Sequence, residues 1–192
     1  MTEEAAGLAV TADAELLERS IGYALGCLRL VAPDLLACPT PCARWDLRAL
    51  LWHLHDSLRA LHEAADAGNV RLRPATAEHG DPVAAVRDAA RALLGAWAGA
   101  EEVTVSVAGH DIGAGLVTGA GAIEMAVHGW DVAVASGHHR PIPPPLSTRL
   151  LSLSPLVVDD TDRPERFAAR IPAPRTASPG DRLVSFLGRA VR

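Results

Sequence analysis

The stretch Ile123-Glu124-Met125-Ala126-Val127-His128-Gly129-Trp130-Asp131 sets a carboxylate and an imidazole four positions apart inside a long apolar run. At roughly 3.6 residues per turn, positions i and i+4 of an α-helix lie about 40° apart on one face. Glu124 and His128 can therefore address a common ion. A carboxylate among apolar neighbours is costly unless it is paired, hydrogen-bonded or metal-bound. Two residues are half of a metal site, and the run Leu50-Leu51-Trp52-His53-Leu54-His55-Asp56 holds the candidates for the rest. His55 stands two positions from His53, about 200° around a helix, so the two cannot face one ion. His62, nine positions on, falls near the opposite face. His53, flanked by Leu50, Trp52 and Leu54, is the interior candidate.

The chain around these runs has 192 residues, 49% apolar and 21% charged, as in an ordinary folded domain with a sizeable core. A net charge of −5 without a basic block argues against nucleic acid as a partner. No apolar run approaches the roughly 18 residues of a membrane span, and the acidic start Met1-Thr2-Glu3-Glu4 is unlike a signal peptide. Three cysteines, an odd number, suit a reducing compartment better than a disulfide framework. The expected location is the cytoplasm, with no membrane partner.

Apolar periodicity predicts a first helix over 12–31, with Leu16, Leu17, Ile21, Leu25 and Leu28 on one stripe. Thr11 or Asp13 is its expected N-cap and Pro33 its expected end. A second helix is expected over 46–67, stopped by Gly68-Asn69. Residues 70–79 read as a polar crossover loop. Asp81-Pro82 opens a third helix that runs to about 97. The β-branched alternation of 103–107 predicts a short strand, in a hairpin-like segment that extends to 112. A fourth helix is expected over 114–136. Beyond Pro141 the texture changes to Pro- and Arg-rich sequence, with a short helix over 146–152, a weak strand over 167–171 and a closing helix over 181–189. The expected fold is mainly all-α: a four-helix bundle over 1–140 with a short β element. Residues 141–192 form a small C-terminal appendage packing on the bundle.

Other motifs read more plainly. Cys38-x-x-x-Cys42 lacks a second ligand pair and lies among prolines, which argues against a zinc site. Gly113, Gly115, Gly119 and Gly121 match no dinucleotide fingerprint and fit close helix packing instead. His138-His139 reads as solvated loop. Asp131 suits a supporting role, either orienting a ligating histidine or capping neighbouring backbone. Trp45 and Trp130 are large apolar groups near the ligand-bearing runs and are candidates for a cavity wall.

Two of these stretches carry a family resemblance. The run Pro39-Thr40-Pro41-Cys42-Ala43-Arg44-Trp45 through His53 resembles the PTPC-x-x-W-x-x-x-x-L-x-x-H signature of actinobacterial DinB-like metal-binding proteins, which include the mycothiol-dependent maleylpyruvate isomerases. Glu124-x-x-x-His128-Gly129-Trp130-Asp131-Val132-Ala133-x-Ala135-x-Gly137 resembles the second signature of that family, and the run from Gly180 to Arg189 resembles its usual ending.

The resemblance implies a DinB-like bundle holding one divalent metal through His53, Glu124 and His128, the residues that face counting also selects. Zn2+ is the first expectation, with Ni2+ or Fe2+ as alternatives, and mycothiol as the family's thiol. A two-His, one-carboxylate set leaves coordination positions open, which suits catalysis. The implied activity is transfer or isomerisation of a small electrophilic substrate by a low-molecular-weight thiol. A thiol-independent Lewis-acid enzyme acting on a specialised metabolite and a non-catalytic binding module are the alternatives. The isomerases proper carry a larger C-terminal domain than residues 141–192, which argues against maleylpyruvate itself as substrate. A homodimer is left open.

Overall fold

The computed structural model describes residues 3–43, 45–70, 80–97, 104–163 and 167–191, with the backbone alone described for 3–12 and 162. Four helices form the bundle: α1 (Glu3–Leu28), α2 (Leu47–Ala67), α3 (Pro82–Trp97) and α4 (Ala114–Ala135). Packing runs α1 on α4, α4 on α2, α2 on α3, and α3 back to α1. The mainly all-α bundle expected from the sequence is the observed architecture. The order of packing has a direct consequence, because it sets α2 and α4 side by side.

Both helices owe their place to composition. α2 is amphipathic, burying Leu47, Leu50, Leu51, Leu54, Leu58 and Leu61 along one stripe. The Asp46 carboxylate accepts from the Ala49 backbone N–H at 2.8 Å to open the helix, and Gly68, at φ 59°, closes it in the left-handed conformation. α4 is apolar nearly all round, and such a helix is stable only when surrounded. It packs against α1, α2 and a fifth helix, α5 (Pro144–Val157). Small residues permit the approach. A Cβ on Gly121 would stand 2.7 Å from the Leu61 methyls, and one on Gly129 would stand 2.9 Å from Cα of Ala24.

Several boundaries differ from expectation. α1 begins at Glu3, so Asp13 lies inside the helix and caps nothing. α1 also ends at Leu28, five residues before Pro33, which instead opens a 3-10 turn. The expected strand is one of three. β1 (Asn69–Val70) pairs in parallel with β2 (Thr104–Val107), which pairs antiparallel with β3 (His110–Gly113). Ala108 and Gly109, both at positive φ, make the tight turn of that hairpin. Val70 thus belongs to a strand, while 71–79 and Val103 lie outside the described residues.

After α4 the chain turns at Gly137 (φ 77°) and enters α5, which is longer than expected. Pro144 and Pro145 open it, where the missing N–H costs no helical bond. No strand forms at 167–171. The Ile171 N–H donates instead to the Ser185 carbonyl at 2.9 Å, so the segment lies against a helix and has no strand to pair with. The last helix, α6 (Pro179–Phe186), is capped by Ser178, whose hydroxyl accepts from the Asp181 N–H. It stops before 189 because Gly188, at φ 81°, turns the chain and returns the Arg189 N–H to the Val184 carbonyl. Leu146 and Leu150 of α5, and Leu183 and Val184 of α6, join the same apolar cluster as the bundle helices.

Candidate metal centre

Where α2 crosses α4, three side chains from the two helices converge. His53 Nε2 lies 2.5 Å from Oε1 of Glu124, and His128 Nε2 lies 3.3 Å from the same oxygen. One ligand atom from each of the three falls within 4.8 Å of the others. No other trio of His, Cys, Asp or Glu among the described residues converges in this way. His55, two positions from His53, points elsewhere, against Asp56 and the edge of Trp52. His128 is buried at 6% side-chain exposure, whereas His53 (34%) and Glu124 (28%) keep an open side.

Electrostatics hold the cluster together. Burial opposes ionisation of Glu124, but the His128 imidazole, the His53 imidazole and the Ser57 hydroxyl outweigh it and bring the carboxyl down to about 2. Ser57 donates to Oε1 at 3.2 Å from one turn beyond His53. Behind His128, the fully buried Asp131 accepts from Nδ1 at 2.8 Å. Arg189 donates to the same Asp131 oxygen through Nη2 at 3.0 Å. Burial would raise the Asp131 pKa, yet the His128 hydrogen bond and the Arg189 charge carry it below the usual carboxylate range.

This network tests whether a metal suits the site. An ionised carboxylate only accepts, so the Asp131 contact places a proton on Nδ1 of His128. In the neutral imidazole, Nε2 then carries a lone pair, and that lone pair faces Oε1 of Glu124. Two acceptors at 3.3 Å repel each other unless a positive charge lies between or beside them. A proton on Nε2 would supply that charge, and so would a divalent cation, which the donor set of two imidazole nitrogens and one carboxylate oxygen fits. The carboxylate–histidine pair behind the ligand is the usual way a protein orients such an imidazole.

The expected cavity-wall residues separate. Trp45, from the segment leading into α2, lies over His53 with centroids 4.2 Å apart and 5.8 Å from the His128 ring. Trp130 is buried in the core and lines a cavity of about 750 Å³ with Cys38, Thr40 and His138, a cavity that none of the three candidate ligands lines. Cys27, Cys38 and Cys42 form no disulfide. Two participants escaped the sequence reading. Ser57, at i+4 from His53, was accessible to the same face counting. Arg189 closes the run that resembles the family's usual ending, but nothing in that run gave its partner.

The sequence profile described as Mycothiol maleylpyruvate isomerase N-terminal domain matches residues 17–133, a span that contains all three converging residues. Two uncharacterized proteins of Mycobacterium tuberculosis, Rv0738 from strain H37Rv and MT0763 from strain CDC 1551, are each 29% identical to this chain, over 84% of it and 89% of their own length. No solved structure matches at a comparable level of significance. No described helix is long and apolar enough to cross a membrane.

Proposed function

The chain belongs to the mycothiol maleylpyruvate isomerase N-terminal domain family, and from that premise we propose that it is a divalent-metal-dependent enzyme. It activates a low-molecular-weight thiol, mycothiol or a close relative, for transfer to a small electrophile or for its isomerisation. The observation that carries this reading is the convergence of His53, Glu124 and His128. Zn2+ is the metal proposed for them. A bound cation would supply Lewis acidity, lowering the pKa of an incoming thiol by several units so that the nucleophile exists at neutral pH.

The protein's own groups divide the remaining work. With an ion bound, His53 and His128 would present Nε2 lone pairs to it, and the Asp131 contact keeps the His128 proton on Nδ1. Glu124 contributes one negative charge, which leaves a dication site near +1 before a thiolate enters and near zero after. That balance is tolerable in a partly dry cavity. Trp45 covers the His53 ring and limits water on that side.

Elemental analysis and cobalt substitution test the reading. Protein purified without added metal should carry about one divalent ion per chain, lost in His128→Ala and retained in His55→Ala. The cobalt form should gain a thiolate-to-cobalt charge-transfer band on adding mycothiol, and His53→Ala should abolish it. A metal-loaded protein whose spectrum ignores millimolar thiol would favour Lewis-acid chemistry without a thiol. A protein that takes up no metal would overturn the proposal.

A further inference from the structure

A cavity of about 480 Å³ opens beside Glu124, within the range of small-molecule sites. Its walls come from different parts of the fold: Ile112 of β3, Leu116 and Val117 of α4, Leu156 of α5, and Phe167 beyond it. Its polar side chains are Glu124 and Ser57, which touch each other at 3.2 Å. Glu124 is therefore shared between the candidate metal centre and the cavity wall.

Two further observations bear on the occupant. Leu116 is 43% exposed and Leu156 69%, and they are two of only four large apolar side chains so exposed among the described residues. Both line this one concavity. Isolated exposed leucines need no explanation, but exposed leucines gathered on a concave surface mark a place where apolar matter binds. The second observation is charge. Among the described lining residues, Glu124 is the only charged side chain. Away from the ion, a charged group on the substrate would lie in an apolar trough with no charged partner among the described lining residues, an unfavourable arrangement.

Resting on the metal-centre reading above, we propose that the substrate is an uncharged electrophile with an extended apolar body. The body lies in this cavity along Val117, Ile112 and Leu156, and the reacting carbon sits by Glu124 and Ser57, beside the ion. Substrates with a carboxylate on that apolar body are selected against. The cavity lined by Trp130 holds none of the candidate ligands and is not assigned this role.

Alkyl hydroxamates provide the test, because their head group binds a metal and their tail length is adjustable. Titration calorimetry on the zinc-loaded protein would compare acetohydroxamate, hexanohydroxamate and octanohydroxamate with a six-carbon hydroxamate ending in a carboxylate. Each added methylene should tighten binding about three- to fourfold until the trough is filled. The terminal carboxylate should weaken binding at least about tenfold relative to hexanohydroxamate. Leu156→Asp, a change at an exposed position, should remove most of the chain-length gain and leave acetohydroxamate unchanged. If acetohydroxamate binds but tail length makes no difference, or if the carboxylate tail binds equally well, this proposal is overturned while the metal centre stands. If no hydroxamate binds, the metal-centre reading fails. The cavity is then judged on metal-free protein with the uncharged fluorophore N-phenyl-1-naphthylamine. Enhancement that Leu156→Asp abolishes supports an apolar site, and absence of enhancement overturns it.

Discussion

Asp131 and Arg189 lie 58 positions apart, yet they meet in a buried ion pair of 3.0 Å. The Asp131 oxygen that takes the Arg189 guanidinium also takes Nδ1 of His128. One carboxylate oxygen thus ties the segment after α6 to the helix that carries two of the three converging side chains. Desolvating such a pair is costly and its net stabilisation small, so its main physical effect is orientation. Arg189 also donates to the Leu187 carbonyl, which fixes the guanidinium in place.

Replacing Arg189 by Met leaves Asp131 buried without its cation. The expected loss is about 3–5 kcal/mol in denaturant unfolding. Metal affinity, read by competition with a chromogenic chelator, should fall about 10–100-fold because His128 loses its oriented partner. Arg189→Lys should recover part of the stability but less of the affinity, since an ammonium cannot copy the two-point contact. Unchanged affinity in Arg189→Met would show that the pair merely anchors the tail.

The two tryptophans should fail differently. Trp130 belongs to the core, and Trp130→Ala should cost about 3–5 kcal/mol of stability. Trp45 is half-buried over His53, so Trp45→Ala should cost less and register at the metal centre, as a shift in the visible spectrum of the cobalt protein. Equal melting temperatures for the two variants would contradict this division.

Two glycines in helices should respond with opposite signs to alanine. Gly129→Ala places a methyl 2.9 Å from the Ala24 backbone, where α1 and α4 touch, and should destabilise by about 1–3 kcal/mol. Gly22 is exposed, and a methyl added there would meet nothing within 4 Å, so Gly22→Ala should stabilise by about 0.5–1 kcal/mol. Thermal unfolding of the two single variants decides both signs.

What was legible in the sequence is what depends on neighbours a few positions away. The 3.6-residue period of leucines marked α2, Asp46 and Gly68 marked its ends, and the spacing of Glu124 and His128 put both on one face. Choosing His53 over His55 also needed only helical geometry. The errors were local as well: the start of α1 lies in sequence without the apolar stripe, and the run 167–171 was too short to mean a strand. Tertiary structure alone decided the rest. Nothing in Arg189 or Asp131 announces a partner 58 positions away, and β1 acquires meaning only when β2 lies beside it. The apolar trough beside Glu124 draws its walls from β3, α4, α5 and the segment after it, so it exists only once they are docked. Periodicity encodes which face of a helix is buried, but the partner that buries it depends on how whole helices pack.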